Sequence, residues 1–107
     1  MRIVIGLAAL AALGATAASA QTTHLSDMAY LKAARCVGLA SSKTFNAPDK
    51  AAQIAWLRAE TRGRLPFIVE EADEANDRAR HEADRADDYM KSRMQTELNG
   101  VCASLKS

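Results

Sequence analysis

Two cysteines, Cys36 and Cys102, carry the most reactive side chains in this chain of 107 residues. They are far apart in sequence, and the chain has no CxxC pair of the kind that activates a thiol for redox catalysis. In an oxidising compartment, the simplest use of two such thiols is one intramolecular disulfide. An intermolecular bridge and free thiols are the alternatives. We predict a structural Cys36–Cys102 bridge, on the condition that the chain is exported.

Two other groups of residues have side chains that bind metals. The first group is spaced to share one helical face and suits a hard or borderline cation; it consists of Asp77, His81, Asp84 and Asp88. The second group is the thioether pair Met90 and Met94, which suits Cu(I). One helical face rarely completes a coordination shell, so solvated acids and core methionines are the simpler interpretation. We expect no metal and no cofactor, and we keep both groups as secondary candidates.

Catalytic motifs are absent from the sequence. His81-Glu82 resembles the opening of the zinc-protease motif HExxH, but Arg85 stands where the second histidine is required. The chain has neither a glycine-rich phosphate loop nor a Gly-x-Ser-x-Gly nucleophile motif. Because the residues that an active site needs are not grouped, we predict that the protein is not an enzyme.

Residues 1–20 have the pattern of a secretory signal peptide. Arg2 supplies a positive charge, and residues 3–13 form an apolar run that is shorter than the roughly twenty residues of a spanning helix. Ala18 and Ala20 are the small residues of a cleavage site. An uncleaved anchor is the alternative. We predict cleavage after Ala20, a single domain over 21–107, and a periplasmic or secreted location with no membrane contact after cleavage.

The charge balance limits the kinds of partner. The chain has 14 Lys and Arg against 13 Asp and Glu, and loss of Arg2 with the signal peptide leaves the exported domain formally neutral. A neutral domain lacks the electrostatic footprint of a protein that binds nucleic acid or an anionic membrane. We therefore expect neither kind of partner.

The fold class indicated by the sequence is all-α. Alanine is abundant and no hairpin signature is present. We predict helices over about 26–42, 48–62 and 66–105. Pro48 and Pro66 fit the first turns of the second and third helices.

Residues that cap helices and repeat along them support these bounds. Ser26 or Asp27 can cap the first helix, and Gly63 can follow the second. The third helix depends on an apolar stripe that runs from Ile68 to Leu105 and repeats about every 3.7 residues.

The predicted bridge restricts the arrangement of these helices, because its Cα atoms must lie within about 7 Å. A plain up-down-up bundle would separate the two cysteines by about 37 Å. The sequence favours a disulfide-closed antiparallel hairpin, in which 26–42 and 48–62 lie end to end as one arm and 66–105 returns as the other. The alternative is a compact four-helix bundle with a break in the last helix near 80–88.

Protein–protein contact is the function that remains after these exclusions. Trp56, Leu31 and Phe67 are apolar residues that a two-arm hairpin leaves for a partner surface or a homodimer. Neutralisation of the carboxylates in acid would loosen the fold and expose its apolar stripe, which would be a chaperone-like behaviour. An envelope metal-binding protein, using the acidic and histidine face or the methionine pair, is the alternative.

Overall fold

The structure, a computed structural model, describes residues 24–105. Four helices follow one another: α1 (Asp27–Ser41), α2 (Lys50–Glu60), α3 (Pro66–Asp84) and α4, which begins as Asp88–Glu97. The described range contains no strand, and the all-α prediction is confirmed. The signal peptide predicted over 1–20 lies outside the described residues and stays a prediction.

Helix α1 is the central helix. It begins where predicted, because the Ser26 hydroxyl accepts a hydrogen bond of 3.1 Å from the backbone N–H of Ala29. Eight of its fifteen residues are buried, and they lie on nearly every side of the helix. A helix that is apolar around its circumference must be covered by neighbours on several sides.

The chain reverses between α1 and α2. The Ser42 hydroxyl donates to the Leu39 carbonyl at 2.7 Å, and Asn46 takes the left-handed conformation with φ of 40°. At the other end of α2, the Glu60 carboxylate lies 3.1 Å from the backbone nitrogen of Leu25, so α2 runs antiparallel beside α1. The hairpin prediction was wrong on this point, because the two helices do not lie end to end.

Helix α2 is shorter than predicted. It begins at Lys50, and Pro48 lies in the turn before it and not in its first turn. By contrast, Pro66 does occupy the first turn of α3. Gly63 follows α2 with φ of 81°, the left-handed conformation expected after a helix end.

Helix α3 runs parallel to α1 and packs closely on it. Asn76 Nδ2 donates a hydrogen bond of 3.0 Å to the Ala34 carbonyl, and further along the Thr44 hydroxyl donates to the Ala83 carbonyl at 2.8 Å. Gly38 faces this contact, and a Cβ atom there would lie inside van der Waals distance of the Asn76 carbonyl oxygen. The absence of a side chain at Gly38 therefore permits close packing of α3 on α1.

The predicted 66–105 helix is broken. Helix α3 ends at Asp84, and α4 begins at Asp88 with the Asp87 side chain accepting from the backbone N–H of Met90 at 2.9 Å. A new N-cap starts a new helix, because it satisfies backbone donors that the previous turn no longer reaches. The continuous helix was wrong, and the alternative of four helices with a break near 80–88 is confirmed.

Helix α4 runs antiparallel to α1 and continues through a π-helical segment, Leu98–Cys102, into a last turn, Ala103–Leu105. The Cys36–Cys102 disulfide is present, with Cα atoms 5.6 Å apart, so the predicted bridge is confirmed. It joins the first helix to the last.

The core consists of two clusters on opposite halves of α1. The lower cluster, near the start of α1, holds Tyr30, Ala34 and Ala72, and the upper cluster, near its end, holds Leu39, Ala79, Ala83 and Met94. The predicted apolar stripe enters the core only in part, since Met90 and Val101 are exposed on α4. The break rotates α4 relative to α3, and a single repeat therefore does not extend across both helices.

Candidate functional site

A groove of about 530 Å³ lies between α2 and α3, with α1 as its floor, and we name it the α2–α3 groove. It exists because α2 and α3 both pack on α1 and make few contacts with each other. Its apolar lining is Tyr30, Val37, Ile54, Leu57 and Val69. Its polar lining is Ser41, Arg58, Thr61, Asp73, Asn76, Asp77 and Arg80.

The hydroxyl groups of this groove are engaged in structural hydrogen bonds. Thr61 Oγ1 donates to the Leu57 carbonyl at 3.2 Å and lies 2.9 Å from the Tyr30 hydroxyl. Ser41 Oγ donates to the Gly38 carbonyl at 3.3 Å. A hydroxyl becomes a nucleophile when an adjacent base accepts its proton, whereas the Thr61 and Ser41 hydroxyls donate to backbone carbonyls and the Tyr30 hydroxyl bonds to that of Thr61.

Polar residues from three segments meet below the groove, where the start of α1 lies beside the α2–α3 turn. Arg64 is almost fully buried, and its guanidinium donates to Asp27 at 2.8 Å, to the Leu25 carbonyl at 2.8 Å and to Glu60 at 3.0 Å. The same guanidinium stacks on the Tyr30 ring, 4.2 Å from its centroid. This cluster ties the segment before α1 to the end of α2.

Glu60 is the carboxylate at the centre of that cluster. Burial is the largest single influence on it and favours the neutral form, but hydrogen bonds from His24, the Leu25 N–H and Arg64 together favour the anion. The net result is that the pKa of Glu60 lies below its ordinary value. The charged form of Glu60 is therefore the one that the fold holds in place.

A second polar cluster adjoins the disulfide between α1 and α4. Arg35 Nε and Nη2 donate to the two oxygens of Glu97 at 2.8 and 3.1 Å, and these hydrogen bonds raise the pKa of Arg35. A Glu97 oxygen and the sulfur atoms of Cys36 and Cys102 all lie within 4.8 Å of one another. The π-helical segment accounts for this, because its wider turn brings residues five apart, Glu97 and Cys102, onto one face.

The predicted acidic and histidine face is not assembled on one helix. Asp77, His81 and Asp84 belong to α3, whereas Asp88 begins α4 after the break. Asp77 pairs with Arg80, and Asp84 accepts from the backbone N–H of Thr44 at 3.2 Å. Two of the four carboxylate and imidazole groups therefore already have structural partners.

The methionine pair is divided between core and surface. Met94 is buried against Leu39, while Met90 is 40% exposed at the mouth of a depression beside Arg85 and Ala86. The two sulfur-bearing side chains line the same depression. The interpretation of Met94 as a core residue agrees with its burial.

The three residues predicted as a partner surface lie in different surroundings. Leu31 packs against the lower core cluster, and Phe67 is 59% exposed in the first turn of α3. Trp56 is half-buried beside its own helix, where it lines a small depression with Asp49, Ala52 and Gln53. The described contacts place Trp56 and Phe67 at the surface, and their role in a partner interface stays a prediction.

The chain matches no known protein-family model, no curated protein and no solved structure. Within residues 24–105, no helix combines the length and the hydropathy that crossing a bilayer requires.

The sequence predicted neither the α2–α3 groove nor the position of Glu97 beside the two cysteines. The groove depends on three helices meeting, of which two are distant in sequence. Glu97 and Cys102 are five residues apart, and a regular α-helix would place them on different faces. The only sequence signal for their meeting is Gly100, the poor helix former between them.

Proposed function

We propose that the protein is an exported, non-enzymatic helical protein that acts by binding a helical segment of another protein in the α2–α3 groove. The observation that carries this proposal is the apolar floor of the groove, which lies between two rims of charged side chains. Grooves of this kind between helices accept the apolar face of an amphipathic helix.

The dimensions of the groove fit a short helix. Tyr30, Val37 and Ser41 line it along α1, and they span about 16 Å at 1.5 Å per residue, or three turns. A segment of three to four turns would therefore place two or three apolar side chains against Ile54 and Val69 on the walls.

The rims indicate the polar character of the occupant. Arg58 lies on α2, while Asp73, Asp77 and Arg80 lie on α3, and Arg80 is paired with Asp77. Arg58 and Asp73 lie on opposite walls of the groove and carry charges of opposite sign. An amphipathic helix with a basic residue on its α3 side and an acidic residue on its α2 side would complement both.

Two further observations support the non-enzymatic role and the exported location. The Thr61 and Ser41 hydroxyls of the groove are hydrogen-bonded to backbone carbonyls, which favours a binding role over catalysis. The disulfide is the form of cysteine expected in a periplasmic or secreted protein.

Isothermal titration calorimetry with a library of designed amphipathic peptides tests the proposal. The peptides are about 14 residues long, roughly four turns, and NMR chemical shifts of the bound protein locate the contact. Binding should perturb amides of α2 and α3 that line the groove. Ile54→Glu, which places a charge on the wall, should weaken binding at least about tenfold, or 1.4 kcal/mol.

A matched variant separates the groove from general charge effects. Lys91→Glu changes an exposed residue of α4 and should leave peptide affinity unchanged. Arg58→Glu on the rim should instead make the protein prefer peptides with a basic residue, and not an acidic one, on the α2 side. Binding that survives both Ile54→Glu and Arg58→Glu, or shift changes confined to α4, would contradict the groove as the site.

The chaperone-like form of the proposal has its own test. Circular dichroism and a hydrophobic dye report helicity and apolar exposure between neutral pH and pH 3. A chaperone activated by acid should retain much of its helix and gain dye binding as the carboxylates neutralise. An unchanged fold that binds no dye at pH 3 removes this version and leaves the groove proposal intact.

A further inference from the structure

We propose that Cys36, Cys102 and Glu97 form a redox-gated zinc site: the protein binds Zn²⁺ when the cysteines are reduced and releases it when the disulfide forms. The observation is the approach of the two sulfur atoms and a carboxylate oxygen to within 4.8 Å of one another. The site is separate from the α2–α3 groove, and the proposal does not rest on the function proposed for that groove.

The donor set suits zinc. Thiolate sulfur and carboxylate oxygen bind Zn²⁺ at about 2.3 and 2.0–2.2 Å, which places neighbouring ligand atoms of a tetrahedral site roughly 3.3–3.8 Å apart. In the disulfide the two sulfur atoms are bonded at 2.03 Å, the Glu97 oxygen lies within 4.8 Å of both, and the Cα atoms of the cysteines lie 5.6 Å apart. Once the sulfur–sulfur bond is broken, small side-chain rotations suffice to close the triangle, with water as a fourth ligand.

Arg35 holds Glu97 in the position that the site requires. Its guanidinium donates to both carboxylate oxygens, at 2.8 and 3.1 Å. Each oxygen has a second lone pair, so Glu97 can bind a metal while it keeps these hydrogen bonds. Hydrogen bonds from outside the coordination shell are the usual means of orienting a ligating carboxylate.

The charges of the site balance. Two thiolates and the Glu97 carboxylate carry three negative charges, and the zinc ion with the Arg35 guanidinium carries three positive ones; Arg35 also pairs at 3.4 Å with Glu82, whose side chain is half-exposed to solvent. Both cysteines are buried, with 6% and 4% of their surface exposed. In such surroundings an uncompensated charge is costly, so a neutral assembly is favoured over the ion or the thiolates alone.

The chemistry of the switch is ordinary thiol–disulfide exchange. A dithiol reductant gives two electrons and two protons to the disulfide, which becomes two thiols, and the reductant becomes a disulfide. Zinc binding then displaces the two thiol protons. A disulfide oxidant takes two electrons from the thiolates, the Cys36–Cys102 bond forms again, and Zn²⁺ leaves.

The test uses the purified protein, reduced with a phosphine and kept anaerobic. Titration with Cd²⁺, a spectroscopic substitute for zinc, should give a thiolate-to-metal charge-transfer band that saturates at one ion per chain, and an excess of Zn²⁺ should reduce this band by competition. The oxidised protein should give no band. Circular dichroism is recorded in parallel: if the reduced protein loses helix, zinc should restore it, because binding to a native site stabilises the fold.

Variants assign the ligands. Glu97→Gln should keep a charge-transfer band but weaken Zn²⁺ affinity about 10-fold or more, and Arg35→Gln should weaken it about 10–100-fold by releasing Glu97. Glu71→Gln, an exposed carboxylate on α3, is the matched control and should bind as the wild type does. The proposal would be overturned if the reduced protein showed neither a saturable charge-transfer band nor a zinc-dependent gain of helix. Equal affinity in Glu97→Gln would overturn the three-ligand site.

Discussion

Asn76 of α3 donates a 3.0 Å hydrogen bond to the Ala34 carbonyl of α1, one turn before Gly38 faces the Asn76 backbone. The two helices approach closely here, because Gly38 has no side chain. The Ala34 carbonyl also lies within an α-helix, so the amide adds a second donor to a group that helix bonding already engages. The hydrogen bond therefore fixes the register of α3 along α1.

Gly38→Ala should destabilise the protein, because the new methyl group would meet the Asn76 backbone and lie 3.0 Å from the Ala79 methyl. We expect a loss of about 1–3 kcal/mol in the free energy of unfolding, measured by urea denaturation. Gly100→Ala is the matched control, since a Cβ atom there meets no neighbour within 4 Å. Equal stabilities for the two variants would show that α1 and α3 are not in tight contact.

Asp87→Ala should destabilise the first turn of α4, because it removes the N-cap of that helix. The Asp87 carboxylate accepts the Met90 N–H at 2.9 Å, and loss of an N-cap costs about 0.5–2 kcal/mol. Amide exchange in the first turn of α4 should rise in this variant. Asp88→Ala, in the first turn but not at the cap, should have a smaller effect, and the reverse order would place the cap elsewhere.

Protonation of Glu60 should lower the free energy of unfolding in acid. Its pKa is lowered in the folded state, so its ionised form stabilises the fold fully above the ordinary glutamate pKa of about 4.3. That contribution is lost as pH falls through the lower, folded-state pKa. Glu60→Gln should be less stable than wild type at pH 6, and its free energy of unfolding should decline less steeply below pH 5. Parallel curves would contradict this role.

Reduction of the disulfide should destabilise α4 more than the other helices. Protein from the exported fraction should weigh two hydrogens less than its reduced form, and reduction should lower the free energy of unfolding by about 2–5 kcal/mol. Besides the bridge, α4 is held to α1 by Met94 in the core and by the Arg35–Glu97 pair. Amides of 88–105 should therefore exchange faster on reduction. A uniform increase across all helices would show that the bridge stabilises the fold as a whole.

Trp56 is the residue whose substitution tests the predicted homodimer. If it anchors an interface, Trp56→Ala should keep its helicity and sediment as a monomer at concentrations where the wild type is dimeric. Tyr89→Ala is the control, because it removes an exposed aromatic side chain from α4. Unfolding of Trp56→Ala would identify Trp56 as part of the core instead, and an unchanged mass would exclude it from the interface.

Local signals explain which parts of the fold were predictable. Ser26 marks the start of α1, and Pro66 with Gly63 marks the turn before α3, because each residue satisfies a backbone requirement of its own position. The disulfide followed from composition and expected compartment. These inferences need no knowledge of which helices touch.

The break before α4 and the folding back of α2 depend on tertiary structure. Asp87 is one acid in a run of acids, so its role as an N-cap could not be distinguished from that of its neighbours. The turn before α2 uses Asn46 in a left-handed conformation and a hydroxyl of Ser42 that is buried only because the helices pack. Glu97 joins the cysteines only through a π-helical turn, which a repeat of 3.6 residues does not reveal.

The parallel alignment of α1 and α3 bears on the order in which the chain folds. Parallel neighbours cannot be joined by a short turn, and the Asn76–Ala34 bond closes a separation of 42 residues with α2 inside it. The antiparallel neighbours α1 and α2 are joined by a short link and can form early, whereas docking α3 on α1 must overcome a larger loss of chain entropy. Docking of α3 on α1 should therefore limit the folding rate, and oxidation of Cys36 and Cys102 should follow it.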